Sequence, residues 1–213
     1  MNRLINLFYK IIPNKNDNFY LYILKLKYIN KMNGKLRINQ PDGSYERYWG
    51  QIHNNMANGQ GKSKNRTYQY DGQFLNNQKH GYGIYHGEYE EYSGEWKHNL
   101  YHGYGKVSGR LGYGDCYTGE WVNGQRHGFG RCVYESEGPA SHIYIGEWKH
   151  NRRNGYGIYK IEEYDYDYND TDLTATPTEN YTLHAKYSGQ WENDQKTGVF
   201  TFYKRGEITT IKY

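Results

Sequence analysis

Three histidines, His80, His102 and His127, each stand directly before a Gly-x-Gly element, where backbone N–H groups could line an oxyanion or phosphate site. Such a loop needs a nucleophile beside it, and no Gly-x-Ser-x-Gly elbow occurs in the chain. Gly103-Tyr-Gly105 does not extend to a dinucleotide fingerprint, because Gly109 lies one residue too far and no helix pattern follows. Gly61-Lys62-Ser63 ends like a phosphate loop, yet Met56 stands where its leading glycine is required. Asn58, Asn154 and Thr197 hold the histidines' place in other parts of the chain. Catalysis or metal ligation would not survive that exchange, whereas a side-chain hydrogen bond at a strand entrance would. Cys116 and Cys132 flank Gly124 at equal distance. A regular hairpin centred there would set them opposite one another, in reach of a cross-strand bond, although a reduced packed pair suits two cysteines in a reducing compartment. A zinc site with His127 lacks a fourth ligand. No catalytic residue, cofactor or metal is expected.

The composition sets what kind of element could hold these residues. The chain has 213 residues, with 27 Tyr and 26 Gly against 4 Pro, and only 36% in the AVILMFWYC class. Average glycine usage is about 7%, so glycine and aromatic residues are enriched together. Leu, Ile and Val are too sparse for a thick core, while 18% aromatic content argues against disorder. The expectation is a thin, Tyr/Trp-rich fold. The longest apolar run, Phe19 to Leu24, falls far short of the roughly 20 residues of a membrane-spanning helix.

Internal repetition supplies the organisation. Tyr48-Trp-Gly-Gln-Ile, Tyr70-Asp-Gly-Gln-Phe, Tyr92-Ser-Gly-Glu-Trp, Tyr117-Thr-Gly-Glu-Trp, Tyr144-Ile-Gly-Glu-Trp and Tyr187-Ser-Gly-Gln-Trp are six versions of one motif. Their glycines, Gly50, Gly72, Gly94, Gly119, Gly146 and Gly189, are each followed nine residues later by Gly59, Gly81, Gly103, Gly128, Gly155 and Gly198. The first five add Gly61, Gly83, Gly105, Gly130 and Gly157. Successive copies lie 22, 22, 25, 27 and 43 residues apart, so variation belongs to the connections. Tyr92, Gly94 and Trp96 alternate with polar residues at a period of two, the pattern of a strand with one packed face. Asn123-Gly124 then marks a hairpin turn. Glycine inside a strand signals close approach by something large, here the Tyr and Trp rings. A single hairpin is marginal in water, so neighbouring copies must stabilise one another.

These residues closely resemble the MORN (membrane occupation and recognition nexus) repeat, whose signature is Tyr-x-Gly-x-Trp, a basic residue, then His-Gly-x-Gly. The resemblance covers about residues 34–203. Its carriers include Tyr70 and Gly72; Tyr92, Gly94, Trp96, Gly103 and Gly105; Tyr117, Gly119, Trp121, Gly128 and Gly130; Tyr144, Gly146, Trp148, Gly155 and Gly157; and Tyr187, Gly189 and Trp191. Ile52 and Phe74 depart from the motif's Trp, and Phe200 from its last Gly, as expected of atypical terminal copies. The fold implied is all-β, an elongated single antiparallel sheet of stacked hairpins near 48–62, 70–85, 92–107, 117–134, 144–159 and 187–203. The array as a whole is expected over 32–203, with a closing strand over 204–213.

Two segments stand apart. Residues 1–31 carry six Lys/Arg against one acid, and Leu4, Leu7, Phe8 and Ile11 at helical spacing suggest a short basic amphipathic helix. It would dock on a membrane, target an organelle or cap the first hairpin; alternatively, Met32 is the true initiator. An acidic insertion over 160–186 reads as a solvated loop or a receiver for a basic partner. It has the oxygens for calcium but not the loop spacing.

Lys79, Arg126, Arg152, Arg153 and Lys196 occur just before the His-Gly position of their copies, so stacking should line them along one edge at about 10 Å intervals. The column would meet an acidic protein surface or phosphoinositide headgroups, or serve only as a solvated edge interrupted by Ala57 and Tyr101. The resemblance implies a non-catalytic scaffold or adaptor that binds proteins in a cytoskeletal or membrane-associated assembly, cilia included, with self-association common. The alternative it implies is a phosphoinositide-binding tether, accessory to phosphatidylinositol phosphate kinase signalling. The expected location is cytoplasmic, cytoskeleton- or membrane-associated, and no nucleic-acid partner is expected.

Overall fold

The computed structural model describes residues 33–109, 115–134, 140–164 and 181–213. The N-terminal extension and most of the acidic insertion lie outside the described residues, and so does the amphipathic helix expected in the former. The first strands are β1 (Asn33–Asn39), β2 (Tyr45–His53), β3 (Met56–Lys64), β4 (Gln69–Leu75) and β5 (Gln78–His86). Next come β6 (Glu90–Lys97), β7 (Leu100–Gly109), β8 (Cys116–Val122), β9 (Gln125–Tyr134) and β10 (Ala140–Lys149). The last are β11 (Arg152–Tyr164), β12 (Tyr181–Glu192), β13 (Gln195–Lys204) and β14 (Glu207–Lys212). All fourteen form one open sheet in sequence order, with every pairing antiparallel. At about 4.8 Å per strand it runs for roughly 60 Å. No helix occurs among the described residues. The all-β, single-sheet expectation therefore holds.

Turn chemistry explains why each copy folds back. The central pairs Asn54-Asn55, Asn76-Asn77, His98-Asn99, Asn123-Gly124, His150-Asn151 and Asn193-Asp194 all have positive φ. That is the conformation of the tight two-residue hairpins that Asn, Asp and Gly tolerate. The second turn residue also joins its copy to the one before. Asn151 donates its N–H to Arg126 O (3.1 Å) and accepts Arg126 N–H on Oδ1 (2.8 Å). Asn77 does the same with Ala57, Asn99 with Lys79, and Asp194 with Arg153. Gly124 has no side chain and keeps only the backbone half, to Tyr101 O (2.8 Å). Asn151→Ala should lose about 1–2 kcal/mol, from an unpaired N–H and a left-handed backbone. Asn151→Gly should lose less, since it removes only the acceptor. Chemical denaturation of both variants separates the two contributions.

One face of the sheet is a continuous line of rings. Tyr48, Tyr70, Tyr92, Tyr117 and Tyr144 are almost wholly buried. Each ring lies across the glycine of the returning strand: a Cβ on Gly105 would sit 2.2 Å from Tyr92 Oη, and one on Gly130 2.3 Å from Tyr117 Oη. In copies two to five the Phe or Trp then stands edge-on between its own Tyr and that of the preceding copy, and in copy six Trp191 stands between Tyr144 and Phe200. Trp96 is 5.2 Å from both Tyr70 and Tyr92, and Trp148 is 5.4 Å from Tyr117 and 5.2 Å from Tyr144. The line crosses the 43-residue spacing unbroken, with Tyr144 at 5.5 Å from Trp191 and Gly157 paired with Gly189. The insertion leaves the stacking of copies five and six intact.

Most polar atoms on these rings are also paired, the exception being Trp191 Nε1, which is buried without a partner. The pairing register shifts in each hairpin, as between Gly94 and Glu95, which leaves a carbonyl without a ladder partner. The tyrosine hydroxyl donates to it: Tyr92 Oη to Glu95 O at 2.8 Å, Tyr117 to Glu120 O and Tyr144 to Glu147 O at 3.0 Å. Trp96 Nε1 donates to Gly83 O, and Trp121 Nε1 to Gly105 O, both at 3.2 Å. In copy six Phe200 fills the slot over Gly189, 2.6 Å from where a Cβ would be, and Tyr187 is displaced to stack on Phe202 at 4.6 Å. Thr197 Oγ1 takes over the bond to the freed carbonyl, Gln190 O, at 3.3 Å.

Burial pushes the Tyr48 hydroxyl up to about 12 and raises those of Tyr70, Tyr92, Tyr117 and Tyr144 as well. An unfolded tyrosine ionises near pH 10, so above that pH the folded chain retains protons that the unfolded chain releases. The stability these hydroxyls contribute is then fully present below pH 10 and lost as pH rises through the folded values. The share of tyrosinate absorbance that comes from these five buried rings should therefore appear only together with loss of the sheet's circular dichroism. Ionisation of all tyrosines with the sheet signal intact would contradict this.

Candidate functional site

The basic residues singled out by spacing divide between the two faces. Lys79, Arg126, Arg153 and Lys196 lie on the ring-covered face, where they close over the aromatic line. Arg126 Cζ is 4.5 Å from the Trp148 ring and Arg153 Cζ 4.4 Å from Trp191, each a cation over the indole of the next copy. Lys196 Nζ is 3.6 Å from the Tyr187 ring and 4.8 Å from that of Tyr213, and donates to Tyr213 Oη at 3.1 Å. The guanidinium of Arg126 also reaches Asn151 O (3.3 Å), and that of Arg153 reaches Asp194 Oδ1 and O (3.0 and 3.1 Å). Arg152, one residue earlier, has the opposite parity and is exposed on the other face. In copy three Tyr101 takes the cation's place, stacked on Tyr92 at 3.8 Å, with its hydroxyl donating to Glu90 (2.7 Å).

Lys79 is the most enclosed of the set, 7% exposed beside Glu46 at 3%. Its Nζ lies 3.5 Å from Glu46 Oε1 and 3.2 Å from Tyr68 Oη. Gln40 Nε2 (2.6 Å) and the Tyr68 hydroxyl also donate to that carboxylate. Burial pulls the Lys79 ammonium below its usual range, and Glu46 opposes the shift. Sequence reading missed this pair. The available signal was parity: Lys79 pairs with Phe74 across the sheet, and paired residues share a face.

The histidines before Gly-x-Gly sit at the turn edge. Asn123 N–H donates to His102 Nδ1 (3.4 Å), as Asn76 N–H does to Asn58 Oδ1 (3.0 Å). His80 meets His98, and His127 meets His150, ring to ring at 5.7 Å. Cys116 and Cys132 are both free thiols. The two-residue turn and the register shift after Gly119 pair Cys116 with Val133 and Cys132 with Tyr117, so the cysteines face opposite sides rather than each other. Burial raises the Cys132 thiol to about 11, which leaves it a poor nucleophile at neutral pH. Among the described residues no three His, Cys, Asp or Glu side chains converge as a metal site.

The opposite face carries a second set of rings. The middle residue of Gly-x-Gly is aromatic in the four central copies, at Tyr82, Tyr104, Phe129 and Tyr156, and each ring is at least half exposed. Glu95, Glu120 and Glu147 are exposed on the strands between them. Gln60 and Val199 occupy the same place in the terminal copies.

The family model for the MORN repeat matches residues 48–64, 70–88, 92–109, 117–138, 144–165 and 187–203. No curated protein matches the chain. Among the described residues no helix is long and apolar enough to cross a membrane.

Proposed function

Because the chain belongs to the MORN-repeat family over more than half its length, we propose that it is a non-catalytic scaffold or adaptor whose sheet engages protein partners across several copies at once. The setting proposed is a cytoskeletal or membrane-associated assembly, the kind of surroundings in which MORN repeats mediate protein or membrane-lipid contacts. The mechanism is geometric: fourteen hydrogen-bonded strands with ring-filled junctions hold a long surface in fixed register.

One observation favours protein over phosphoinositide as the ligand. The ammonium and guanidinium groups of Lys79, Arg126, Arg153 and Lys196 are engaged by the chain's own rings and acceptors. A headgroup would have to displace those contacts, leaving Arg152 as the exposed cation of the original set. Proximity labelling in the native cell should return a defined protein assembly, and vesicles with or without phosphoinositide should sediment the chain equally. A diffuse set of bulk proteins, or phosphoinositide-dependent sedimentation that falls with Arg152→Ser, would overturn the reading.

A further inference from the structure

The ring-covered face explains stability and has little side chain left to offer. The opposite face is different. Tyr82, Tyr104, Phe129 and Tyr156 are 55, 60, 58 and 50% exposed. The fold does not need them there, because Gln60 and Val199 serve the same position in the end copies. They stand at equivalent points of β5, β7, β9 and β11, two strands apart, which sets a pitch of about 9.6 Å along the sheet.

Each interval contains a carboxylate. Glu95 pairs with Tyr82, Glu120 with Tyr104 and Glu147 with Phe129. These carboxylates are held in place: Glu95 Oε1 accepts the N–H of Tyr104 (3.0 Å), Glu120 that of Phe129 (2.9 Å) and Glu147 that of Tyr156 (2.8 Å). The result is a pre-organised row in which ring and negative charge alternate. The carboxylates between the rings suit cationic side chains seated directly on the row, while Lys97, Lys106, Arg131, Lys149 and Arg152 flank it on the same face and favour a ligand that keeps its charges on that central line.

The pitch selects the ligand's conformation. A polyproline II helix advances about 9.3 Å per three-residue turn, so it drifts from the rings by only ~1 Å over three intervals. Two turns of α-helix advance about 10.8 Å and would drift by nearly 4 Å. A β-strand presents one face every ~6.6 Å and matches no single interval. Aromatic slots are also the surfaces that hold polyproline II ligands, whose conformation is set before binding.

We propose that the row Tyr82–Tyr104–Phe129–Tyr156 binds a proline-rich, basic segment of a protein partner, lying along the sheet as a polyproline II helix. Prolines at every third position seat between the rings, and Lys or Arg side chains reach Glu95, Glu120 and Glu147. This rests on the protein-binding reading above and names its surface and ligand class.

The test is fluorescence anisotropy of the full chain with a labelled Pro-Pro-Arg repeat of about twelve residues, long enough at ~3.1 Å per residue to span the row. A Gly-Ser-Arg repeat of equal length and charge is the control. The proline peptide should bind, the control at least about tenfold more weakly, and Tyr104→Ser, Phe129→Ser and Glu120→Gln should each weaken the proline peptide by roughly tenfold. The substituted rings are exposed, so the serine variants should melt with the unaltered chain. No binding of the proline peptide, equal binding of the two peptides, or binding unaffected by both serine variants would overturn the proposal. If the peptide fails while proximity labelling still returns a defined assembly, the scaffold reading stands without this surface. Loss of the assembly as well removes both.

Discussion

Gly105→Ala should destabilise the sheet by about 3 kcal/mol or more, at the upper end of what one inserted methyl group costs in a packed core. The new Cβ would lie 2.2 Å from Tyr92 Oη and 2.5 Å from Cζ. The ring has nowhere to go. Tyr101 is stacked on it at 3.8 Å, Trp96 and Trp121 stand edge-on at 5.2 and 5.8 Å, and its hydroxyl holds the Glu95 carbonyl at 2.8 Å. Moving it would break that bond and open the junction between copies three and four. Gly43→Ala is the control, because its Cβ would meet nothing within 4 Å and it differs only by a left-handed backbone at φ +83. That costs roughly 1–2 kcal/mol. Because copies contact only their neighbours, hydrogen exchange should show β6 to β8 opening first in Gly105→Ala. A variant that denatures together with Gly43→Ala and shows no local opening would refute close ring-over-glycine packing as the element that joins the copies.

The second large effect concerns the N-terminal end of the array. Glu46→Leu and Lys79→Met should each lose about 3–5 kcal/mol, because either change strands a buried charge. Glu46→Leu strands an ammonium 7% exposed, and Lys79→Met strands a carboxylate 3% exposed. Combining Glu46→Leu with Lys79→Met in one chain should lose much less than the two single losses added together, since no charge then remains in the enclosed site. Denaturant titration of the unaltered chain, the two single variants and the double variant gives the coupling directly. Additive losses would mean that the 3.5 Å contact between Glu46 and Lys79 contributes no coupling. The damage should be confined to β2 to β6, with copies four to six unaffected.

Much of this was legible before any coordinates. Tyr-x-Gly-x-Trp with its glycine nine residues on specified strand, turn and return, and the exchange of His for Asn and Thr marked those positions as structural. The replacement of Gly by Phe at position 200 foretold an atypical last copy, although not that Phe200 would take the slot over Gly189 and that Thr197 would take over the hydroxyl's bond. Glu46 went unnoticed because its copy-mates, Tyr68, Glu90, Asp115, His142 and Ala185, share no chemistry that a repeat alignment would bring out. The exposed row at Tyr82, Tyr104, Phe129 and Tyr156 was present in the sequence as the middle residue of Gly-x-Gly, and only its exposure gave it meaning.

The repeat period, the glycines and the alternating rings were enough to determine an all-β ribbon, because those are local properties of each copy and every copy votes the same way. Which face each flanking side chain takes was not local. A shift of one residue in register turns a side chain to the other side of a sheet. The two-residue turns and the shift after the motif glycine therefore decided that Lys79, Arg126, Arg153 and Lys196 close over rings, that Arg152 does not, and that Cys116 and Cys132 look away from each other. Hydrogen-bonded pairing between strands sets that parity, and it exists only once the sheet has formed.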